Sequence, residues 1–237
     1  MNVPPPPAPT GIPLVYIVDD EASMRESLAW LLRSRRLLSE SFASAEAFEA
    51  ALDTAVGAGA SLVDFPTGPS CVLLDLRMHG MTGMMLHERL LARGLAPTLP
   101  IIFLTGHGDV PIAVEALQRG AFDFVEKSRV NNALVDRIER ALKASATALA
   151  QRHEHAMRAY ALGRLTPRER QIMLAIVEGL ANRQIANAAH LSVRTVELHR
   201  AKVFEKLGVA SAVELANLIH AINGHSLDAW HLEPGGS

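Results

Sequence analysis

Five short apolar runs set the limits on what this chain can fold into. Residues 14–18, 37–42, 71–74, 101–104 and 122–125 are each four to six residues long, the length of a strand rather than of a helix. Amphipathic stretches separate them at residues 21–35, 44–52, 83–93 and 110–120. The first carries Met24, Leu28, Leu31 and Leu32 on one face, and the second opens on Ser44 as an N-cap. Strand-like runs alternating with helical ones predict a doubly wound five-stranded parallel sheet covered on both faces. Residues 57–70, rich in Gly, Pro and Ser, read as a long surface loop. Open sheets of this kind bind ligands at the carboxyl ends of their strands.

From Asn132 to Arg158 the chain is Ala-rich, without Gly or Pro, and Leu134, Ile138, Leu142 and Leu149 share a face. That pattern predicts a long helix leaving the first domain as a linker. After Gly163 the sequence is helical throughout. Thr166-Pro167-Arg168-Glu169 is a capping box with proline at the first helical position. That helix should stop at Gly179. Asn182 is expected to cap a short helix to Ala189, and Ser192 another running to Leu207 with Gly208 as its stop. Ser211 to Glu214 opens a last helix reaching Ile222. The expected map is a disordered Pro-rich tether at 1–12, a sheet domain at 13–131 and a helical linker at 132–160. A four-helix all-α domain at 161–223 and a flexible tail at 224–237 complete it.

Composition adds exclusions. Of 237 residues 49% are apolar, enough for two cores and too many for a disordered chain. No apolar run approaches the ~20 residues that cross a bilayer, so no membrane partner is expected. Residues 1–11 lack the basic and apolar regions of a signal peptide. The single cysteine, Cys71, reads as core without a redox role, and the chain as cytoplasmic. The net charge of −2 hides an asymmetry, because residues 1–143 hold 13 Lys/Arg against 17 Asp/Glu and the remainder 10 against 8. Within residues 158–206 the balance is 9 against 4. An acidic front and a basic back imply two different partners. His153 and His155, two apart, face different sides of a helix and do not make a zinc site.

Asp19-Asp20 closes the first run, Asp75 the third and Thr105 the fourth, while Lys127 lies just past the fifth. In a parallel sheet these positions share one edge. Clustered carboxylates repel one another, and a hard divalent cation with oxygen ligands relieves them; Mg²⁺ suits two or three carboxylates plus water. A carboxylate beside Mg²⁺ and a lysine can attack a phosphoryl group, since both cations neutralise charge on the transferring oxygens.

The stretches Val18 to Glu21, Leu73 to Met78, Leu104 to Gly106 and Phe124 to Lys127 resemble the receiver domain of two-component response regulators, a flavodoxin-like fold. The resemblance implies that Asp75 accepts phosphate from the phosphohistidine of a sensor histidine kinase. It implies that Asp19, Asp20, Asp75 and the backbone carbonyl of Arg77 hold Mg²⁺, and that Thr105 and Lys127 contact the phosphoryl group. Phe124 matches the aromatic that turns inward as Thr105 moves. Two departures stand out. Ser128 follows the lysine where the family usually has proline, often cis, so this bond is either trans and rearranged or strained. His79 also replaces a usual proline. Arg77 and His107 occupy positions that modulate phosphoryl lifetime.

In the basic half, residues 182–189, a turn at His190-Leu191 and residues 192–207 make a helix-turn-helix pattern. Val196, Val203 and Leu207 should face the core with Ile185. Arg194, Glu197, Leu198, Ala201 and Lys202 fall on the opposite face, suited to the major groove. Arg183, Thr195, His199, Arg200 and Lys206 are within reach of phosphates; for Arg200 the alternative is a pairing with Glu169 inside the domain. The segment from Leu165 to Ile222 resembles the LuxR-type helix-turn-helix, and with the receiver it resembles the NarL/FixJ family of transcription regulators. Glu197, Leu198 and Ala201 would then lie nearest the bases; Glu197 either accepts from a cytosine amino group or orients Arg194 or Arg200.

The resulting expectation is a regulator, not an enzyme, in which phosphorylation promotes homodimerisation and promoter binding, with RNA polymerase a possible partner. The linker would set half-site spacing or hold the output domain back. The competing readings are a pseudo-receiver with an inert Asp75, and a phosphohydrolase, for which the chain lacks a cap domain or second catalytic acid.

Overall fold

The computed structural model describes residues 4–57, 65–106, 110–130 and 132–223. Five strands, β1 (Leu14–Val18), β2 (Leu38–Phe42), β3 (Ser70–Asp75), β4 (Ile101–Thr105) and β5 (Asp123–Glu126), form one sheet in the order β2-β1-β3-β4-β5. Every neighbouring pair is parallel. The crossovers are α1 (Ala22–Ser34), α2 (Ala45–Gly57), α3 (Gly83–Ala92) and α4 (Val110–Gln118), and α5 (Asn132–Gly163) follows the last strand.

The continuous apolar runs of β3 and β4 are buried along their whole length, as strands covered on both faces must be. Alternation within a strand divides the core in two. Tyr16, Val18, Val72, Leu74 and Phe103 pack with Phe48 and Leu52 of α2, Leu86 and Leu90 of α3 and Ala116 of α4. Val15, Ile17, Cys71, Leu73, Ile102 and Leu104 pack with Leu28 and Leu32 of α1 and Leu134, Ile138, Ala141 and Leu142 of α5. Cys71 is fully buried, and burial pushes its thiol up to about 12, so it is the inert core residue expected. The edge strand β2 carries Ser39, Glu40 and Ser41 in its middle, with Glu40 and Ser41 exposed, a polar edge that discourages further pairing.

Several expected boundaries move. Ser44 does accept from the Ala47 N–H at 3.1 Å, but α2 continues to Gly57, five residues past the expected end, consuming part of the expected loop. Gly11 does not belong to a free tether. The Gly11 N–H donates to the Thr67 carbonyl at 3.0 Å, and a Cβ on Gly68 would lie 2.4 Å from the Gly11 carbonyl oxygen, so only glycines permit this approach.

The largest correction concerns α5. The chain divides into two compact units, and the division falls inside this helix, after Arg152. Its first half is therefore a layer of the sheet unit rather than a departing linker. Ser145 is fully buried there, accepting from the Ser70 N–H at 2.9 Å and donating to the Thr98 carbonyl at 2.6 Å. Arg152 donates to the Phe65 and Pro66 carbonyls at 2.6 and 3.1 Å.

The C-terminal unit contains α6 (Pro167–Val177), α7 (Asn182–Ala189), α8 (Val193–Leu207) and α9 (Ala212–Asn223). Ile172, Met173 and Ile176 of α6, Ile185 of α7, Val196 and Val203 of α8 and Leu215 and Ile219 of α9 form its core. Thr166 and Glu169 make the reciprocal capping box, Ser192 caps α8, and Gly208 ends it at φ +65°. Asn182 does not cap α7; it is the first helical residue. Ala181 takes the cap position, and its N–H donates to Gln184 Oε1 at 2.8 Å. The turn after α7 is left-handed at His190, φ +52°. Among the described residues no helix is long and apolar enough to cross a membrane. The tail beyond 223 and His107 lie outside the described residues.

Candidate functional site

Strand order reverses between β1 and β3, and the crevice such a reversal opens at the strands' carboxyl ends is where the acidic residues meet. Asp19 follows β1 and Asp75 ends β3, buried to 0% and 3% exposure, and with Asp20 they bring carboxylate oxygens within 4.8 Å of one another. Local geometry fixes Asp19. Its Oδ1 accepts from the Glu21 N–H at 2.8 Å, and Arg25 donates to its carbonyl at 2.7 Å. Lys127, just past β5, reaches across the crevice to lie 3.0 Å from Asp75 Oδ2 and 3.0 Å from Asp19 Oδ2. Asp19 Oδ2 meets the ammonium as a buried ion pair and has no further hydrogen-bond partner.

The charges explain one another. Burial raises the Asp75 carboxyl above the ordinary aspartate value, and neighbouring Asp19 adds to the effect against the pull of Lys127. Burial also works against the ammonium of Lys127, but the carboxylates of Asp19, Asp75 and Glu21 overcome it and raise the lysine's pKa. Thr105 is buried at the end of β4, with its hydroxyl directed to the Val125 carbonyl at 3.5 Å. Phe124 is partly buried and packs against the core on the α2, α3 and α4 face. Arg77 donates its N–H to Asp75 Oδ1 at 3.3 Å.

A magnesium ion fits this donor set. The ligand atoms are all hard oxygens, three carboxylates converge, and Asp19 Oδ2 is buried with no partner beyond the Lys127 ammonium. Among the described residues no other group of His, Cys, Asp and Glu has metal-binding geometry. The two departures leave the pocket assembled. The Lys127–Ser128 bond is trans, since the described chain's cis bond is Phe65–Pro66, and a 3-10 turn at Lys127–Arg129 carries the backbone onward. His79 extends into solvent and sets Nδ1 2.6 Å from Asp20 Oδ2, with its N–H at 3.2 Å from the same oxygen. That hydrogen bond from the His79 ring is the main reason the Asp20 carboxyl lies below its ordinary value.

In the C-terminal unit α8 separates its faces as expected. Val196 and Val203 are buried and Leu207 half-buried, whereas Arg194, Glu197, Leu198, Ala201 and Lys202 are exposed, Leu198 to 60%. Arg183 is exposed on α7. Thr195 is held by the cap, its N–H on Ser192 Oγ at 3.1 Å. His199 and Arg200 are half-buried; Nδ1 of His199 has no partner, and the Arg200 guanidinium sits 5.5 Å over the Phe204 ring.

Lys206 is a correction. Its ammonium is used inside the domain, 2.6 Å from Glu169 Oε2 and 3.2 Å from the Arg164 carbonyl, so it is not a free phosphate ligand. The partner of Glu169 is thus Lys206, not Arg200. Neither this pair nor the contacts of His79, Glu21 and Arg25 emerged from the sequence. An acidic residue adjoining Asp19-Asp20 and a basic one a turn later were the available signals for Glu21 and Arg25.

Comparison with known proteins accords with both halves. The profile of the response regulator receiver domain matches residues 15–139, and that of the luxR family of bacterial regulatory proteins matches residues 163–219. The C4-dicarboxylate transport transcriptional regulatory protein DctR of Rhodobacter capsulatus is 41% identical over 208 residues, 86% of this chain and 98% of its own. The transcriptional regulatory protein FixJ of Bradyrhizobium diazoefficiens is 38% identical over 204 residues, covering 86% and 93%. The solved structure of the response regulator StyR superposes with a TM-score of 0.72 at 34% identity, over 88% of this chain and 98% of that one.

Proposed function

This chain belongs to the NarL/FixJ-type response regulators, a phosphorylation-dependent transcription regulator joining a receiver to a LuxR-type helix-turn-helix, and we propose that Asp75 is its phosphoacceptor. The observation that carries this is Lys127 Nζ at 3.0 Å from Asp75 Oδ2 and from Asp19 Oδ2, where three carboxylates converge. An Asp75 oxygen attacks the phosphorus of a phosphohistidine on a sensor histidine kinase. The new O–P bond forms as the P–N bond to imidazole breaks, and the departing imidazole takes up a proton.

Asp19 and Asp20, with Asp75 and the Arg77 carbonyl, would hold Mg²⁺, whose charge lowers the cost of gathering anionic oxygens there. Lys127 neutralises a phosphoryl oxygen and Thr105 turns its hydroxyl from the Val125 carbonyl toward another. Phe124 fills the space Thr105 leaves, a two-state response to a new local charge. The output is a homodimer on promoter DNA, supported by the exposure of Val114 and Leu117 on α4, and contact with RNA polymerase follows from that location. Arg194, Glu197, Leu198, Ala201 and Lys202 face the groove, while Arg183, Thr195, His199 and Arg200 lie toward the phosphates. We place the protein in the cytoplasm and assign it regulation rather than enzymatic turnover. The division proposed is a receiver from residue 13 that keeps α5 as far as Arg152, and a helix-turn-helix domain at 161–223.

The test is Mg²⁺-dependent uptake of phosphate from a small phosphodonor, with promoter affinity measured before and after. Wild type should take up one phosphoryl group and bind DNA more tightly, and Asp75→Asn should do neither. Equal labelling of the two proteins would overturn the assignment.

A further inference from the structure

The loop between Asp75 and Thr82 forms one wall of the acceptor pocket, and its shape is held at three places. At its base the Gly83 N–H donates to the Leu76 carbonyl at 3.2 Å, and a Cβ on Gly83 would lie 2.2 Å from the Asp75 carbonyl oxygen. The loop's end is therefore pressed onto the acceptor's own backbone. On the pocket side His79 binds Asp20. The third anchor comes from outside the pocket.

Glu46, in the first turn of α2, accepts from the Met81 N–H with Oε1 at 2.8 Å. The same oxygen would lie 2.8 Å from a Cβ on Gly80, whose φ of +79° is in the left-handed region. The loop backbone thus wraps the carboxylate with only a glycine's clearance. Met81 itself is 7% exposed and packs in the core beside Leu76 and Met78. Glu46 also begins a stripe along α2 that grips α3: Glu49 binds Arg89 at 2.7 Å and Arg93 at 3.1 Å, and Asp53 binds Arg93 at 2.7 Å. A carboxylate in a helix's first turn is favoured by the helix dipole, which keeps this anchor charged and in place.

We propose that Glu46 is a positioning residue for phosphoryl transfer: by clamping Gly80 and Met81 it holds the β3–α3 loop where the Arg77 N–H reaches Asp75 and His79 reaches Asp20. Glu46 touches neither the phosphoryl donor nor the reacting oxygens; it acts through the loop. The inference rests on the reading of Asp75 as the acceptor, and the two are separable by experiment.

In the full chain, hydrogen exchange of the Met81 amide is measured without metal for wild type, Glu46→Ala and Glu46→Gln. Phosphate uptake from a small phosphodonor is then followed over a series of Mg²⁺ concentrations. Glutamine keeps an acceptor oxygen, so its Met81 amide should stay protected and its uptake rate should lie near wild type. Alanine should expose the amide and slow uptake by about two- to tenfold, the worth of one hydrogen bond expressed as a rate, with a higher half-saturating Mg²⁺ concentration. An unprotected Met81 amide in wild type, or uptake by Glu46→Ala as fast as wild type, would overturn the proposal. So would a glutamine variant as slow as the alanine one. Absence of uptake by wild type would instead overturn the reading of Asp75, while Met81 exchange would still decide the clamp.

Discussion

Replacing Lys206 by methionine separates a structural cation from a DNA-binding one on the same helix. Methionine keeps the aliphatic stem and removes the ammonium, so packing in the unit's core is retained. What is lost is the contact at 2.6 Å with Glu169 and the donation at 3.2 Å to the Arg164 carbonyl. A hydrogen bond to a charged group is worth about 1.5–3 kcal/mol, and stranding a fully buried charge costs about 3–5 kcal/mol. The Glu169 side chain is only 4% exposed, but Lys206 is 26% exposed, and Glu169 still receives the Thr166 N–H at 2.8 Å. The lower range therefore applies, a loss of about 1.5–3 kcal/mol. For a domain of this size that lowers the melting temperature by roughly 6–24 °C. The assay is denaturation of the full chain followed by hydrogen exchange in peptides from α6 and α8. Promoter binding by the folded protein is then measured across a salt series. Lys206→Met should leave the salt slope unchanged, whereas Lys202→Ala should weaken binding to every sequence and flatten the slope by about one. A Lys206→Met protein of unaltered stability whose slope falls by about one would refute the reasoning and return Lys206 to the phosphate backbone.

Other perturbations probe the remaining contacts. Ser145→Ala removes the hydroxyl between the Ser70 N–H and the Thr98 carbonyl, and an orphaned buried amide should cost the receiver about 1–3 kcal/mol in urea denaturation. Burial, reinforced by Asp19, raises the Asp75 carboxyl, so its ionised form opposes folding once pH exceeds that raised value. Asp75→Asn should therefore raise the metal-free melting temperature. Mg²⁺ should stabilise wild type by about 2.7 kcal/mol at a hundredfold excess over its Kd, and the asparagine variant by less. Burial tends to raise the Glu169 carboxyl, but Lys206 and Thr166 prevail and hold it from the ordinary 4.5 down to about 2. A depressed carboxylate contributes stability above its unfolded value and loses it toward its folded one. Exchange protection of α6 should accordingly fall between about pH 4.5 and 2, and this fall should shrink in Lys206→Met.

Much of this protein is determined one segment at a time. Apolar runs of strand length and amphipathic runs between them specify a parallel sheet, because a strand covered on both faces needs hydrophobic residues throughout. Parallel strands point the same way, so Asp19, Asp75, Thr105 and Lys127 had to meet at one edge despite their separation in sequence. Helix caps such as Thr166, Ser192 and Gly208 were equally legible, since capping is settled within a few residues. Tertiary structure alone decided which distant partners these groups found. It paired Lys206 with Glu169, set His79 on Asp20, laid Glu46 beneath the β3–α3 loop and sank Ser145 into the receiver. The sequence shows an amphipathic face or a lone cation but not the surface waiting for it. Each of these contacts depends on the register and docking of two elements remote in the chain, and no local periodicity encodes that.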